Sequence, residues 1–160
     1  MFSPAEFSVG CVGDATTGLT LVLPRSQYEN AILVTQASGS PYAIFLSEDH
    51  QFAGFECANN DSWRGILIPN VTIELDEESI FDAENMHVPL GALVRRGTQL
   101  DMVTRVDSNF PRPVKTPIIV DLPLCRQNMA AGFTKWRIFL GEGMRKRELK
   151  CVELGNKPRN

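Results

Sequence analysis

Two histidines and four cysteines are the side chains of this 160-residue chain best suited to chemistry near neutral pH. His50 follows Glu48 and Asp49, and His87 comes after an acidic stretch, directly before Val88-Pro89. If their loops met, the two imidazoles with Asp49, Asp82 or Glu84 could hold a divalent metal with an open coordination position, the plan of a hydrolytic centre. No ligand spacing links the histidines, and an ordinary polar loop role for each competes with that reading. The cysteines stand at 11, 57, 125 and 151, too far apart for the close pairs of zinc and redox sites. They read as buried free thiols that pack as small hydrophobes. Cys57 with His50 or His87 could form a thiolate nucleophile, but the sequence names no third group to orient the base.

The acidic run Asp76, Glu77, Glu78, continued by Asp82 and Glu84, could offer oxygens to calcium. It lacks the glycine and the alternating acids of a calcium loop, so a solvated charged loop is the better reading. A Gly-x-Ser-x-Gly elbow, a phosphate loop, a dinucleotide glycine fingerprint and a His-Glu-x-x-His pair are all absent from the sequence. These residues imply no cofactor and no metal, and they lean away from catalysis. The reading retained from another class is a ligand-binding or hydrolytic β-barrel with a pocket that uses His50 or His87. Trp63 and Trp136 each lie in an apolar alternating segment, which favours packing inward over sugar stacking.

Charge is unevenly distributed along the chain. Residues 1–94 hold thirteen acids against two bases, Arg25 and Arg64, a net of −11; residues 95–160 hold fourteen bases against six acids, a net of +8. The densest basic run is Arg145, Lys146 and Arg147 with Lys150; the densest acidic run begins at Asp76, Glu77 and Glu78. Three physical outcomes compete. The halves could interleave and neutralise each other as exposed pairs. They could persist as opposite faces that join copies head to tail. The basic C-terminal hairpin could instead meet phosphates, although the net charge of −3 argues against a nucleic-acid partner.

The elements that must position these groups are strands. Short period-two apolar segments alternate with turn residues at fairly even intervals, which predicts strands at 7–12, 19–23, 31–35, 42–46, 52–57, 63–75, 90–95, 100–106, 118–121, 133–140 and 149–154. Turn chemistry at 13–18, 37–41, 59–61, 96–98 and 141–143 implies that adjacent strands pair. Val71, Ile73 and Leu75 face one way while Thr72, Glu74 and Asp76 face the other. Ile66, Leu67 and Ile68 break that alternation before Pro69, so one long strand is expected to bend there and cross a corner. Segments 76–86 and 122–131 are the only places for a short helix, and 108–117, with three prolines, reads as a long crossing loop.

The expected architecture is a single mainly β domain over residues 1–160, an antiparallel β-sandwich or barrel of roughly ten short strands with at most one or two short helices. Without a basic leader or a long apolar run, the chain is expected to be soluble, with no membrane partner and no signal peptide, in the cytoplasm or in a particle assembled there. The expected role is that of a non-enzymatic structural or assembly subunit that contacts copies of itself or other proteins, as components of virus and phage particles do. Its interface is expected at Arg145, Lys146, Arg147, Lys150, Asp76, Glu77 and Glu78.

Overall fold

In a computed structural model the described residues are 8–15, 18–24, 31–37, 40–47, 49–57, 63–106, 112–118, 129–141 and 143–155. Along them run β1 Ser8–Cys11, β2 Thr20–Pro24, β3 Ile32–Ala37, β4 Ser40–Phe45, β5 Ala53–Glu56, β6 Arg64–Ile68 and β7 Thr72–Leu75. There follow β8 Ile80–Asp82, β9 Leu93–Arg96, β10 Gln99–Val106, β11 Arg112–Pro117, β12 Ala131–Phe133, β13 Lys135–Leu140 and β14 Arg147–Glu153. Three short 3-10 turns, Val12–Asp14, Glu77–Ser79 and Gly143–Arg145, are the helical pieces among the described residues. None is long and apolar enough to cross a membrane.

The strands form two sheets. The large one runs β1-β6-β2-β3-β4-β5-β10-β9-β12-β8, with β11 on the free side of β10; the small one is β14-β13-β7. The mainly β expectation holds, with two corrections. β5 and β10 run parallel, through Arg105 beside Ala53 and Val106 beside Gly54, so the large sheet is mixed. β1 and β2 do not pair with each other, because β6 lies between them.

Successive residues of a strand face opposite sides, and the apolar faces sort accordingly. Leu21, Leu33, Ile44 and Ile68 of the large sheet meet Ile73, Trp136, Ile138 and Val152 of the small one in a shared core. Their neighbours Val22, Val34, Ala43 and Leu67 pack on the opposite side with Val12, Ala15 and Cys57. β2, β3, β4 and β6 are thus covered on both faces, which explains their near-continuous apolar runs. At Gly65 an added Cβ would lie 2.1 Å from the Leu23 carbonyl oxygen, so only glycine lets β6 approach β2 at that point.

Two corners join the sheets. The expected long strand at 63–75 divides into β6 in the large sheet and β7 in the small one, and Asn70, at φ 57°, makes the bend after Pro69. At the second corner β7 continues into β8 while β12 continues into β13. Between the two ladders the Asp76 amide still donates to the Lys135 carbonyl at 3.1 Å, and the buried Ser79 hydroxyl adds to that pairing: it accepts from the Lys135 amide at 3.1 Å and donates to the Asp76 carbonyl at 2.8 Å.

The proline-rich segment is a strand where it is described. β11 covers 112–117 and pairs only with β10. Proline is excluded from central strands because it cannot donate to the ladder, but an edge strand has positions whose amides face away. Pro113 sits at such a position, opposite Arg105, whose own amide is directed to the Phe52 carbonyl on the other side. Ile118 lies just past β11; residues 119–121 and 122–128 fall outside the described residues, as do Cys125 and the turn at 59–61.

Candidate functional site

The groups singled out for catalysis are not assembled. His50 lies in the turn before β5, its ring stacked on Phe45 at 4.8 Å, while His87 is exposed in the segment between β8 and β9. Among the described residues no three His, Cys, Asp or Glu side chains are grouped to hold a metal ion. Burial pushes the Cys57 thiol up to about 12, with a further contribution from nearby Cys11, so Cys57 is a protonated core side chain at neutral pH. Trp136 is fully buried and donates its indole N–H to the Gly91 carbonyl at 3.0 Å. Trp63 is half-buried and meets the Phe45 ring edge-to-face at 5.0 Å, and Phe55 is tilted against Phe45 at 5.2 Å.

The charged runs meet on the small sheet. β13 directs Trp136, Ile138 and Leu140 into the core, which leaves Lys135, Arg137 and Phe139 on the outer face. β7 sets Glu74 opposite Arg137, and β14 sets Glu153 opposite Lys135 and Glu148 opposite Phe139. A basic central strand therefore lies between two acidic flanks. Lys135 lies 3.8 Å from both Asp76 and Glu153, and Arg137 reaches Asp76 at 3.5 Å and Glu148 at 3.0 Å. Lys146 pairs with Glu74 and sits 4.2 Å over the Phe139 ring.

Of the residues expected at an interface, the structure brings Asp76 and Lys146 onto this one face as partners of neighbouring opposite charges. Asp76 also accepts from the Glu78 amide at 3.0 Å and so caps the 3-10 turn that leads to β8. Glu77, Glu78 and Arg145 are exposed, Arg147 opens β14 opposite Leu140, and Lys150 stands opposite Ile138 beside a register shift. Glu78 lines a polar cleft of about 220 Å³ with Asp76, Ser79, Lys135 and Glu153. Four of the six ion pairs among the described residues, Glu84–Arg96 included, join the acidic half of the chain to the basic half. To that extent the charges interleave.

The sheet edges differ from this face. Among the described residues five strands pair on one side only: β1, β8 and β11 in the large sheet, β7 and β14 in the small one. An open edge invites another strand unless proline or charge blunts it. β11 carries two prolines with Arg112 and Lys115, β7 carries Glu74, and β14 carries Arg147, Glu148, Lys150 and Glu153. β1, Ser-Val-Gly-Cys, has no charge of its own, but the exposed Asp14 carboxylate covers its edge and accepts the Cys11 amide at 2.9 Å; β8, Ile-Phe-Asp, has a single acid, and its Ile80 amide and Asp82 carbonyl are bonded to the Glu77 carbonyl and the Met86 amide.

Exposed apolar side chains gather at those two edges. Val9 of β1 is 63% exposed, Ile80 of β8 40%, and Met129, just before β12, 58%. The fourth large exposed hydrophobe among the described residues is Met144, at the β13–β14 turn. Ile80, Phe81, Asp82, Met129, Ala130 and Ala131 line a groove of about 340 Å³ at the β8 end. Its wall is well anchored: Glu84 accepts from the Ala130 amide at 3.1 Å and from Arg96, and these two interactions hold its carboxyl below the usual range. Phe81 covers Gly132, where an added Cβ would lie 2.2 Å from the ring. None of Val9, Ile80 or Met129 stands out in the sequence.

A family model described as "Uncharacterised protein y4lG" matches residues 12–159. A curated protein from Sinorhizobium fredii (strain NBRC 101917 / NGR234), "Uncharacterized protein y4lG", is 40% identical over 149 residues, covering 93% of this chain and 91% of its own. The chain belongs to the y4lG family. The family match begins at Val12, so it spans β2 to β14 and leaves β1 outside. No solved structure matches the chain.

Proposed function

We propose that the chain is a non-enzymatic structural or assembly subunit that works through protein–protein contacts. The observation that carries this reading is that two ends of the large sheet, β1 and β8, are where three of the four exposed large hydrophobes among the described residues lie. Exposed apolar side chains gathered at a sheet end are what a protein partner would cover. The small sheet supports the reading from the other direction, since its charges are largely engaged with one another. Arg145, Glu77 and Glu78 remain exposed and would act at the rim of a contact, where charge steers approach more than it holds partners together.

Sizing a native extract of cells that produce the chain tests this. The chain is expected well above its monomer mass, and a variant carrying both Val9→Asp and Ile80→Asp is expected to move to the monomer position. A wild-type chain that runs as a monomer in the extract would overturn the reading.

A further inference from the structure

β10 and β11 turn one face away from the core. Thr104 and Thr116 point inward, where their hydroxyls meet at 2.8 Å, so Val103, Arg105, Pro113 and Lys115 share the outer face. Arg105 is half-buried there between Ala53 of β5 and Pro113 of β11, and Val103 and Lys115 fill the next row. None of these neighbouring side chains can accept a hydrogen bond. The Arg105 Nε is accordingly buried without a hydrogen-bond partner, the one such side-chain atom among the described residues. An unpaired buried N–H is costly, and more so on a guanidinium, which keeps its charge at every working pH.

Lys115 is exposed and diagonal to Arg105, within reach of a long side chain. Neither base belongs to an ion pair among the described residues, whereas Lys135 and Arg137 of the small sheet each have two carboxylates. Asp101 is on the same face at the far side of Val103, where its carboxylate accepts from the Gln99 amide group at 3.4 Å. The backbone at Arg105 is fixed: its amide donates to the Phe52 carbonyl at 3.2 Å, and the turn that holds Phe52 is closed by the Ala53 amide on the His50 carbonyl at 3.0 Å.

We infer that Arg105 and Lys115 bind the phosphate group of a small ligand. The guanidinium edge that carries Nε–H is a planar fork matched to two phosphate oxygens, and it supplies the acceptor that Nε lacks within the chain. Two adjacent bases with no acid between them suit a dianion better than a single carboxylate. A nucleic-acid backbone would need a stripe of bases, and this face is bounded by Asp101 and Pro113 instead. The site is separate from the sheet ends and does not rest on the assembly reading.

Titration of the purified chain with sodium phosphate, against sodium chloride at matched ionic strength, tests the inference through the melting temperature and the NMR resonance of the Arg105 Nε–H. Phosphate is expected to raise the melting temperature and to move that resonance saturably, with a half-point at about 1 mM, as befits two or three charge-assisted hydrogen bonds. Chloride is expected to do neither. Arg105→Lys keeps the charge but removes the Nε–H, and should weaken phosphate binding about tenfold or more. Lys115→Gln, on the exposed edge strand, should weaken it about two- to fivefold while leaving the Nε–H resonance of the phosphate-free chain in place.

An Nε–H resonance that phosphate does not move, or that chloride moves equally, would overturn the inference. Phosphate binding of wild-type strength in Lys115→Gln would overturn the two-base site even if Arg105→Lys failed to fold. Duplex DNA that moves the resonance at a far lower concentration than phosphate would overturn the small ligand in favour of a nucleic-acid backbone.

Discussion

The small sheet and the two ends of the large sheet treat their exposed groups in opposite ways. On the small sheet the basic strand β13 lies between carboxylates of β7 and β14, and Lys135, Arg137 and Lys146 all have carboxylate partners within the chain. At β1 and β8, the two ends of the large sheet, Val9 and Ile80 instead project as exposed apolar side chains. The most conspicuous pattern in the sequence, its charge segregation, is thus spent largely on internal pairing. Isolated apolar residues with no pattern of their own are left to meet other molecules. A long-range charge imbalance reports how strands were distributed along the chain; a contact surface is found by asking where exposed apolar side chains gather once the strand order is known.

The comparison is sharpened first by its largest expected effect. If the small sheet is an integral wall of the core, Trp136→Ala should cost about 3–5 kcal/mol in chemical denaturation, since it empties a buried site and leaves the Gly91 carbonyl without its donor. A cost below about 1 kcal/mol, the level of ordinary surface substitutions, would mean that the small sheet is an appendage. Next, Ser79→Ala should cost about 1–3 kcal/mol, because the Lys135 amide loses its acceptor at a buried corner. A neutral result would show that the corner pairs without the hydroxyl. The smallest effect is expected from the charges: a double-mutant cycle on Glu74 and Lys146 should give a coupling of about 0.5 kcal/mol, falling with salt, as for exposed pairs. A coupling several times larger would overturn the view that these charges are merely neutralised.

What could be read in the sequence follows from the range of each interaction. Alternation is local, so the inward set Trp136, Ile138, Leu140 and the outward set Lys135, Arg137, Phe139 were legible, as was a bend near Pro69, which the structure places just after it at Asn70. β11 was misread as a loop because proline marks a break in a central strand, while this strand is an edge and its register is set by β10. β8 is three residues long and continues an acidic run, too short to show a period. The parallel β5–β10 pair and the insertion of β6 between β1 and β2 depend on contacts distant in sequence, which turn residues do not encode. The candidate contact was hidden for a related reason: Val9 and Ile80 become informative only when their strands are known to be terminal.

The most direct measurement is the mass of the purified chain by light scattering at low salt and at about 1 M salt, where charges more than a few ångströms apart are screened. Contacts built from apolar side chains at the sheet ends should survive that change, so multimers are predicted at both ionic strengths. Multimers that dissolve at high salt would show that Arg145, Glu77, Glu78 and their neighbours hold the copies together instead, and would contradict the account.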